Sequence, residues 1–324
     1  MKLDELRTAL NQYEITVLRE IIITLYKKIP KNKRETEGID DLLLNFTQEK
    51  AKAPKIEAPV DFVDLEAEIE LFIEYADQQY YFAPNMYVRK DKRSKWRFEV
   101  KRFIKELLIV KGENCDDAAK LLVSLYDMLS YACHYYIFST NNPFTAVGYS
   151  QPELLQLVIG KVFYNGYNEA AIKTAVFLTL DSNTDRDTIH TELMYLLVSE
   201  LKTPDAKEQA IIQCIAFQKS YDSFQASKKV FTDYNDSGYR RDEHKNHAVE
   251  LYLLLKFSLY EYDDGIAYFW KNFIQRDKEV TLYCLLKFLE SNELNSLWIR
   301  EYEKACAGGI IPRDNLRAEY VRRK

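Results

Sequence analysis

The chain is 324 residues long, 47% hydrophobic and 29% charged, with a formal net charge of −5. These values exclude a disordered or low-complexity chain and leave enough apolar material for an ample core. Gly (9) and Pro (8) fall well below the roughly 7% and 5% of average proteins, while Tyr (24) and Phe (17) are plentiful; a strand-rich fold needs turn formers about every 8–12 residues, so the fold class expected is all-α.

In chain order, Met1 to Leu6 carries acids and no apolar run, unlike a secretory signal or a transit peptide. Residues 3–28 read as a short helix and a longer one, the second with Ile15, Leu18, Ile22 and Leu25 at helical spacing and Pro30 beyond its end. A further short helix is expected over about 39–46. Residues 47–60, with Pro54, Pro59 and few apolar side chains, read as a linker. The chain is therefore divided into an N-terminal helical module (1–46), the linker (47–60), a helical-repeat-like domain (61–308) and a basic C-terminal tail (309–324).

The main domain opens with Leu65, Ile69, Phe72, Ala76 and Tyr80 on one stripe, then Trp96, Val100, Phe103, Leu107 and Val110 on the next. A third helix is expected from Asp116 to Phe138, followed by a loop through Asn142, Pro143 and Gly148. Ser150 and Glu153 fit a capping box, and Thr203 stands as a cap directly before Pro204. Further starts are expected near Asn168, Asp185, Asp222, Asp242, Asp263 and Asp277, each an Asn or Asp ahead of a periodic apolar run. Short connections between such helices make neighbours antiparallel, and the starts at 150, 185 and 222 are spaced as helix-pair repeats are. The expectation is antiparallel helix pairs stacked as an irregular α-solenoid.

Residues 166–172, running from Gly166 and Tyr167 through Asn168 to Ala171 and Ile172, and residues 260–266, with Tyr260, Tyr262, Gly265 and Ile266, resemble the turn and second-helix opening of a tetratricopeptide repeat. No helix pair carries that family's full Trp, Leu-Gly, Tyr, Ala, Phe and Pro pattern. The resemblance implies closely packed helix pairs and a concave surface for a peptide or protein.

The most distinctive stretch for binding is 87–106, where nine Lys or Arg face three acids. Its candidate binding residues are Arg89, Lys90, Arg93, Trp96, Arg97, Phe98, Lys101, Arg102 and Lys105. Basic residues interleaved with aromatic rings can hold phosphates while bases stack, which is the chemistry of single-strand binding. The preceding segment argues for a different use, because residues 61–82 carry seven acids, among them Glu68 and Glu74, and no Lys or Arg. Paired as a hairpin, the two segments neutralise each other internally.

Four histidines offer little catalytic material: His134, His190, His244 and His247. The His244 and His247 spacing allows two imidazoles on one helix face, but without the glutamate spacing of a zinc-protease helix, so it reads as a solvated helix start. Residues 181–185 read as a helix-capping turn before a site. No phosphate-cradling glycine loop, nucleophile elbow or paired Cys-x-x-Cys cluster occurs, so neither cofactor nor metal is expected. Tyr80, Tyr81, Tyr135, Tyr136, Tyr252, Tyr260, Tyr262 and Tyr268 suit helix seams first and groove walls second. Cys115, Cys133, Cys214, Cys284 and Cys306 are odd in number and widely spaced, as expected of unpaired thiols in the cytoplasm. No segment approaches the roughly 18 apolar residues of a membrane span, so no membrane partner is expected. The leading functional expectation is a non-catalytic scaffold for a peptide or protein. The alternatives are nucleic-acid binding through 87–105 and a helical enzyme of unrecognised type.

Overall fold

In the main body, apolar stripes at helical spacing become helices because they bury against one another in a common core. The computed structural model describes residues 10, 12–29, 34, 62–83, 88–89, 93–222 and 238–324. Among them are fourteen α-helices and no strand, so the fold is all-helical. The helix expected over 39–46 and the linker over 47–60 lie outside the described residues.

The chain divides into compact units at 1–60 and 61–324. In the first, α1 (Ile15–Lys28) ends with Lys27 and Lys28 in its last turn, where cations complement the negative end of the helix dipole. In the second, α2 (Phe62–Asp77) buries Leu65, Ile69, Phe72 and Ala76, and α3 (Trp96–Ile109) buries Trp96, Val100, Phe103, Ile104 and Leu107. Both pack on or beside α4 (Cys115–Ala132). The body continues through α5 (Pro143–Val147), α6 (Gln151–Val162), α7 (Glu169–Leu180), α8 (His190–Glu200), α9 (Pro204–Asp222) and α10 (Gly238–Ser258). It closes with α11 (Tyr262–Asn272), α12 (Lys278–Ser291), α13 (Asn295–Ala307) and α14 (Asp314–Arg323). One apolar core runs from Leu65 to Leu316.

Caps explain several of the boundaries. Ser150 and Glu153 form the reciprocal capping box of α6, the Asn168 side chain accepts from the Ala171 N–H at 2.8 Å, and Asp277 accepts from the Glu279 N–H at 2.8 Å. Pro204 begins α9, with Thr203 Oγ1 accepting from the Ala206 N–H at 3.2 Å. Other boundaries differ from expectation. The helix after Cys115 stops at Ala132 rather than Phe138, because Phe138 turns back to stack on Trp96 at 3.9 Å. Pro143 opens a short helix instead of extending a loop; Asn142 caps it and Gly148, at φ +86°, ends it. Asp185 does not begin a helix, since its carboxylate accepts from the Asp187 N–H at 3.0 Å in a turn and α8 starts at His190. Asp222 ends α9 and Asp242 lies inside α10. After Pro312 the chain is helical again, and Arg313 reaches Glu279 at 2.5 Å while Arg323 reaches Glu290 at 2.9 Å.

The α10 and α11 pair shows how closely neighbours approach. Phe257 meets Tyr262, Leu253 meets Gly265 and Tyr252 stacks on Tyr268 at 3.7 Å, an antiparallel register set by the three-residue connection 259–261. A β-carbon at Gly265 would lie 2.9 Å from Lys256 Cβ, so only glycine lets the backbones come this near. At the other end, α14 returns antiparallel on α13, with Tyr320 stacked on Tyr302 at 4.5 Å and Arg323 over the Trp298 ring. No helix among the described residues is long and apolar enough to cross a membrane.

Candidate functional site

Beyond α10 the helices leave a hollow of about 900 Å³ between α11, α12 and α13. That volume falls within the roughly 300–1,000 Å³ of ligand sites. Its floor is apolar: Ile266 and Trp270 come from α11, Phe273 from the turn that follows, Ala305 from α13 and Ile310 from the segment beyond.

One buried carboxylate fixes the wall. Glu301 is 1% exposed, and its carboxylate accepts from the Trp270 indole N–H at 3.2 Å and from Arg300 Nε at 3.1 Å. Arg300 spans outward to Asp263 at 2.7 Å. The triad satisfies the buried charge and holds the indole edge, so Trp270 presents a fixed ring to the hollow. Two further cations, Lys278 and Lys304, stand exposed on the rim. Glu279, beside Lys278, is committed elsewhere, since Arg313 holds its carboxyl below the usual carboxylate range.

A second hollow, about 640 Å³, shares Phe273 and Gln275 with the first and has the opposite character. Asp242, Glu243 and Glu250 line it with His247. Burial, with the Glu243 charge, pushes the Glu250 carboxyl up to about 8.

His247 is not on a solvated helix start. Its ring stacks on His190 at 3.6 Å and meets His244 edge-on at 6.0 Å, joining α8 to α10. His244 Nδ1 lies 3.2 Å from the Leu180 carbonyl at the end of α7 and 4.0 Å from Asp181 Oδ1. Burial, aided by the neighbouring imidazoles, lowers His190 to about 4 and His247 to about 2. Among the described residues no three His, Cys, Asp or Glu side chains converge in a geometry that could hold a metal ion.

The basic segment is dispersed by its own fold. Arg102 pairs with Glu68 of α2 and, at 3.0 Å, with Glu106. Trp96 is 7% exposed and stacked on Phe138, so its ring belongs to the core and not to a binding surface. The Lys101 amine rests against Gly148, where a β-carbon would approach it to 2.6 Å. Arg97 covers the Phe98 ring at 4.8 Å, and Phe98 itself is 59% exposed. Arg93 donates to the Val88 carbonyl at 3.0 Å, Lys105 and Arg89 are exposed and Lys90 lies outside the described residues.

The 181–185 turn is a structural junction. Gln151, fully buried, donates to the Tyr126 hydroxyl at 3.1 Å and to the Asn183 carbonyl at 3.0 Å, and accepts from the Asp185 N–H at 2.9 Å. Ser130 accepts from the Asn183 N–H at 2.8 Å, so α4, α6 and the turn after α7 are joined by satisfied polar contacts. Many of the tyrosines serve as seam residues, Tyr81 stacking on Phe72 at 4.6 Å and Tyr252 on Tyr268, while Tyr80, Tyr136 and Tyr260 are exposed. Burial pushes the Cys133 thiol up to about 12 and Cys284 up to about 11, which leaves both as poor nucleophiles.

Sequence reasoning missed Trp270, Phe273, Lys278, Arg300, Glu301 and Lys304 as a group, because they converge only when three helices pack. One signal was present. Glu301 occupies the apolar phase of α13 defined by Trp298, Tyr302 and Ala305, and a carboxylate in an apolar stripe calls for a buried partner. Comparison with family models, curated proteins and solved structures finds no match to this chain.

Proposed function

We propose that this chain is a non-catalytic helical scaffold that binds a peptide or protein partner in the hollow between α11, α12 and α13. The observation that carries this reading is an apolar floor of hollow-lining side chains held rigid by the Trp270, Glu301 and Arg300 contacts and open to solvent along its rim. An irregular solenoid is the arrangement we assign to the helices. It is supported by the chain order of their main contacts, which join elements no more than three apart.

Panning a displayed random-peptide library against the full chain and against Ala267→Trp tests the proposal. Ala267 lines the hollow on the exposed side of α11, so a bulky ring there fills the space without entering the core. Peptides that bind the native chain and lose binding to Ala267→Trp are expected. A panel with no peptide sensitive to that substitution overturns the assignment.

A further inference from the structure

The geometry points to an acidic peptide segment with a large apolar anchor side chain as the occupant of the α11–α13 hollow, an inference that rests on the scaffold reading above. Three cations, Lys278, Arg300 and Lys304, line the hollow against two carboxylates, Asp263 and Glu301, in a chain whose net charge is −5. Both carboxylates are spent on Arg300, at 2.7 Å and 3.1 Å. Lys278 and Lys304 are left as the rim cations with no acidic partner inside the hollow.

The position of Lys278 strengthens the argument. It is the first residue of α12, at the positive end of a 14-residue helix, where a cation is disfavoured by the dipole. Helix stability therefore gives no reason for a lysine there, and the two positive sources reinforce each other toward an anion beside the hollow. The Asp277 carboxylate next to it is engaged as the cap, accepting from the Glu279 N–H. Lys304, by contrast, lies in the last turn of α13, where it also complements the dipole.

The floor decides between anionic partners. A nucleic acid offers phosphates and flat bases, whereas Ile266, Ala305 and Ile310 beside Trp270 and Phe273 make a rounded apolar surface suited to a Leu or Phe side chain. The adjoining hollow sets the Asp242 and Glu243 carboxylates against a single arginine, Arg276, and so disfavours a continuing acidic chain beyond Phe273. The acidic residues of the ligand therefore lie toward Lys278 and Lys304 and not across that turn.

The test uses the peptides selected above, synthesised with a fluorescent label and titrated by polarisation against the full-length native chain and the Lys278→Glu, Lys304→Glu double variant. Both lysines are exposed, so the double variant is expected to keep the native thermal transition, which circular dichroism checks. The selected peptides are expected to be rich in Asp and Glu around one Leu or Phe. Their affinity should fall at least about tenfold in the double variant and weaken with added salt. Peptides blocked by Ala267→Trp but neutral or basic, or indifferent to the lysine reversals, overturn the charge assignment while sparing the scaffold reading. The absence of any peptide blocked by Ala267→Trp overturns both. A labelled single-stranded oligonucleotide that binds through Lys278 and Lys304 more tightly than the peptides also overturns the inference.

Discussion

The two ends of the main body use charge in opposite ways. Near α2 and α3 an acidic helix and a basic one lie side by side, and Arg102 spends its guanidinium on Glu68 and Glu106. Around α11 to α13 the carboxylates are spent on one arginine, while Lys278 and Lys304 remain beside an apolar hollow. A high local charge density is thus the weaker indicator of a binding surface. What matters is whether the fold has already supplied the counter-charge and what kind of floor the remaining charge borders.

Removing satisfied polar groups should show that the body is held by its interior and not by its surface charges. Gln151→Ala leaves the Asp185 N–H without its acceptor and opens a cavity at a fully buried position, and should cost about 4 kcal/mol in a denaturant titration. Near-native stability in that variant would mean the junction of α4, α6 and the turn after α7 does not depend on this residue. The corresponding interior charge in the second region is Glu301. Arg300→Met should cost about 3 kcal/mol, because it strands a carboxylate that is 1% exposed. Adding Glu301→Gln should recover most of that loss, since the amide oxygen still accepts from the Trp270 indole. If the double variant is no more stable than Arg300→Met alone, the charge of Glu301 is not what Arg300 serves.

The histidine cluster between the two ends gives the comparison a pH axis. The folded state holds His190 and His247 well below the ordinary value of 6.5, so it favours the neutral rings. Their contribution is fully present above about pH 6.5 and is lost as pH falls, with unfolding taking up protons at a cost of about 1.4 kcal/mol per pH unit for each ring. His244 and Asp181 face the pair from α10 and the end of α7. Glu250 has the opposite sign. Its carboxyl is raised to about 8, so the stability it lends in the protonated form is lost as pH rises from about 4.5 toward 8. Thermal melts across pH should therefore show an acid limb that flattens in the His190→Phe, His247→Phe variant and an alkaline limb that flattens in Glu250→Gln. An acid limb unchanged by the double substitution would place the proton uptake elsewhere.

These contrasts explain what the sequence could disclose. Stripes such as Leu65, Ile69, Phe72 and Ala76 are local patterns, and so are the caps at Ser150, Asn168 and Asp277, so the helices were legible. Asp185 resembled the same kind of cap but serves a turn pinned by Gln151, which lies 34 positions earlier. The stacking of His190 on His247 and the meeting of Trp270 with Glu301 likewise depend on which helices become neighbours. The basic run at 87–106 was conspicuous because it is contiguous, whereas the groove residues are divided among α11, α12, α13 and the segments that follow α11 and α13.

The smallest effect is the sharpest test of the comparison. Arg102 and Glu68 are both substantially exposed, at 42% and 52%, so solvent screens their attraction, and Arg102→Gln should cost less than about 1 kcal/mol. Lys278→Glu with Lys304→Glu should change stability by a similarly small amount. Stability therefore cannot distinguish the two surfaces, but binding can. Arg102→Gln should leave peptide affinity unchanged, because its guanidinium is already committed to Glu68 and Glu106 and rests on the Phe103 ring at 4.6 Å. The lysine reversals should abolish most of that affinity, since those charges have no counter-charge inside the hollow to satisfy first. If polarisation titrations showed equal losses for the two substitutions, unpaired charge beside an apolar floor would no longer separate the groove from the basic helix.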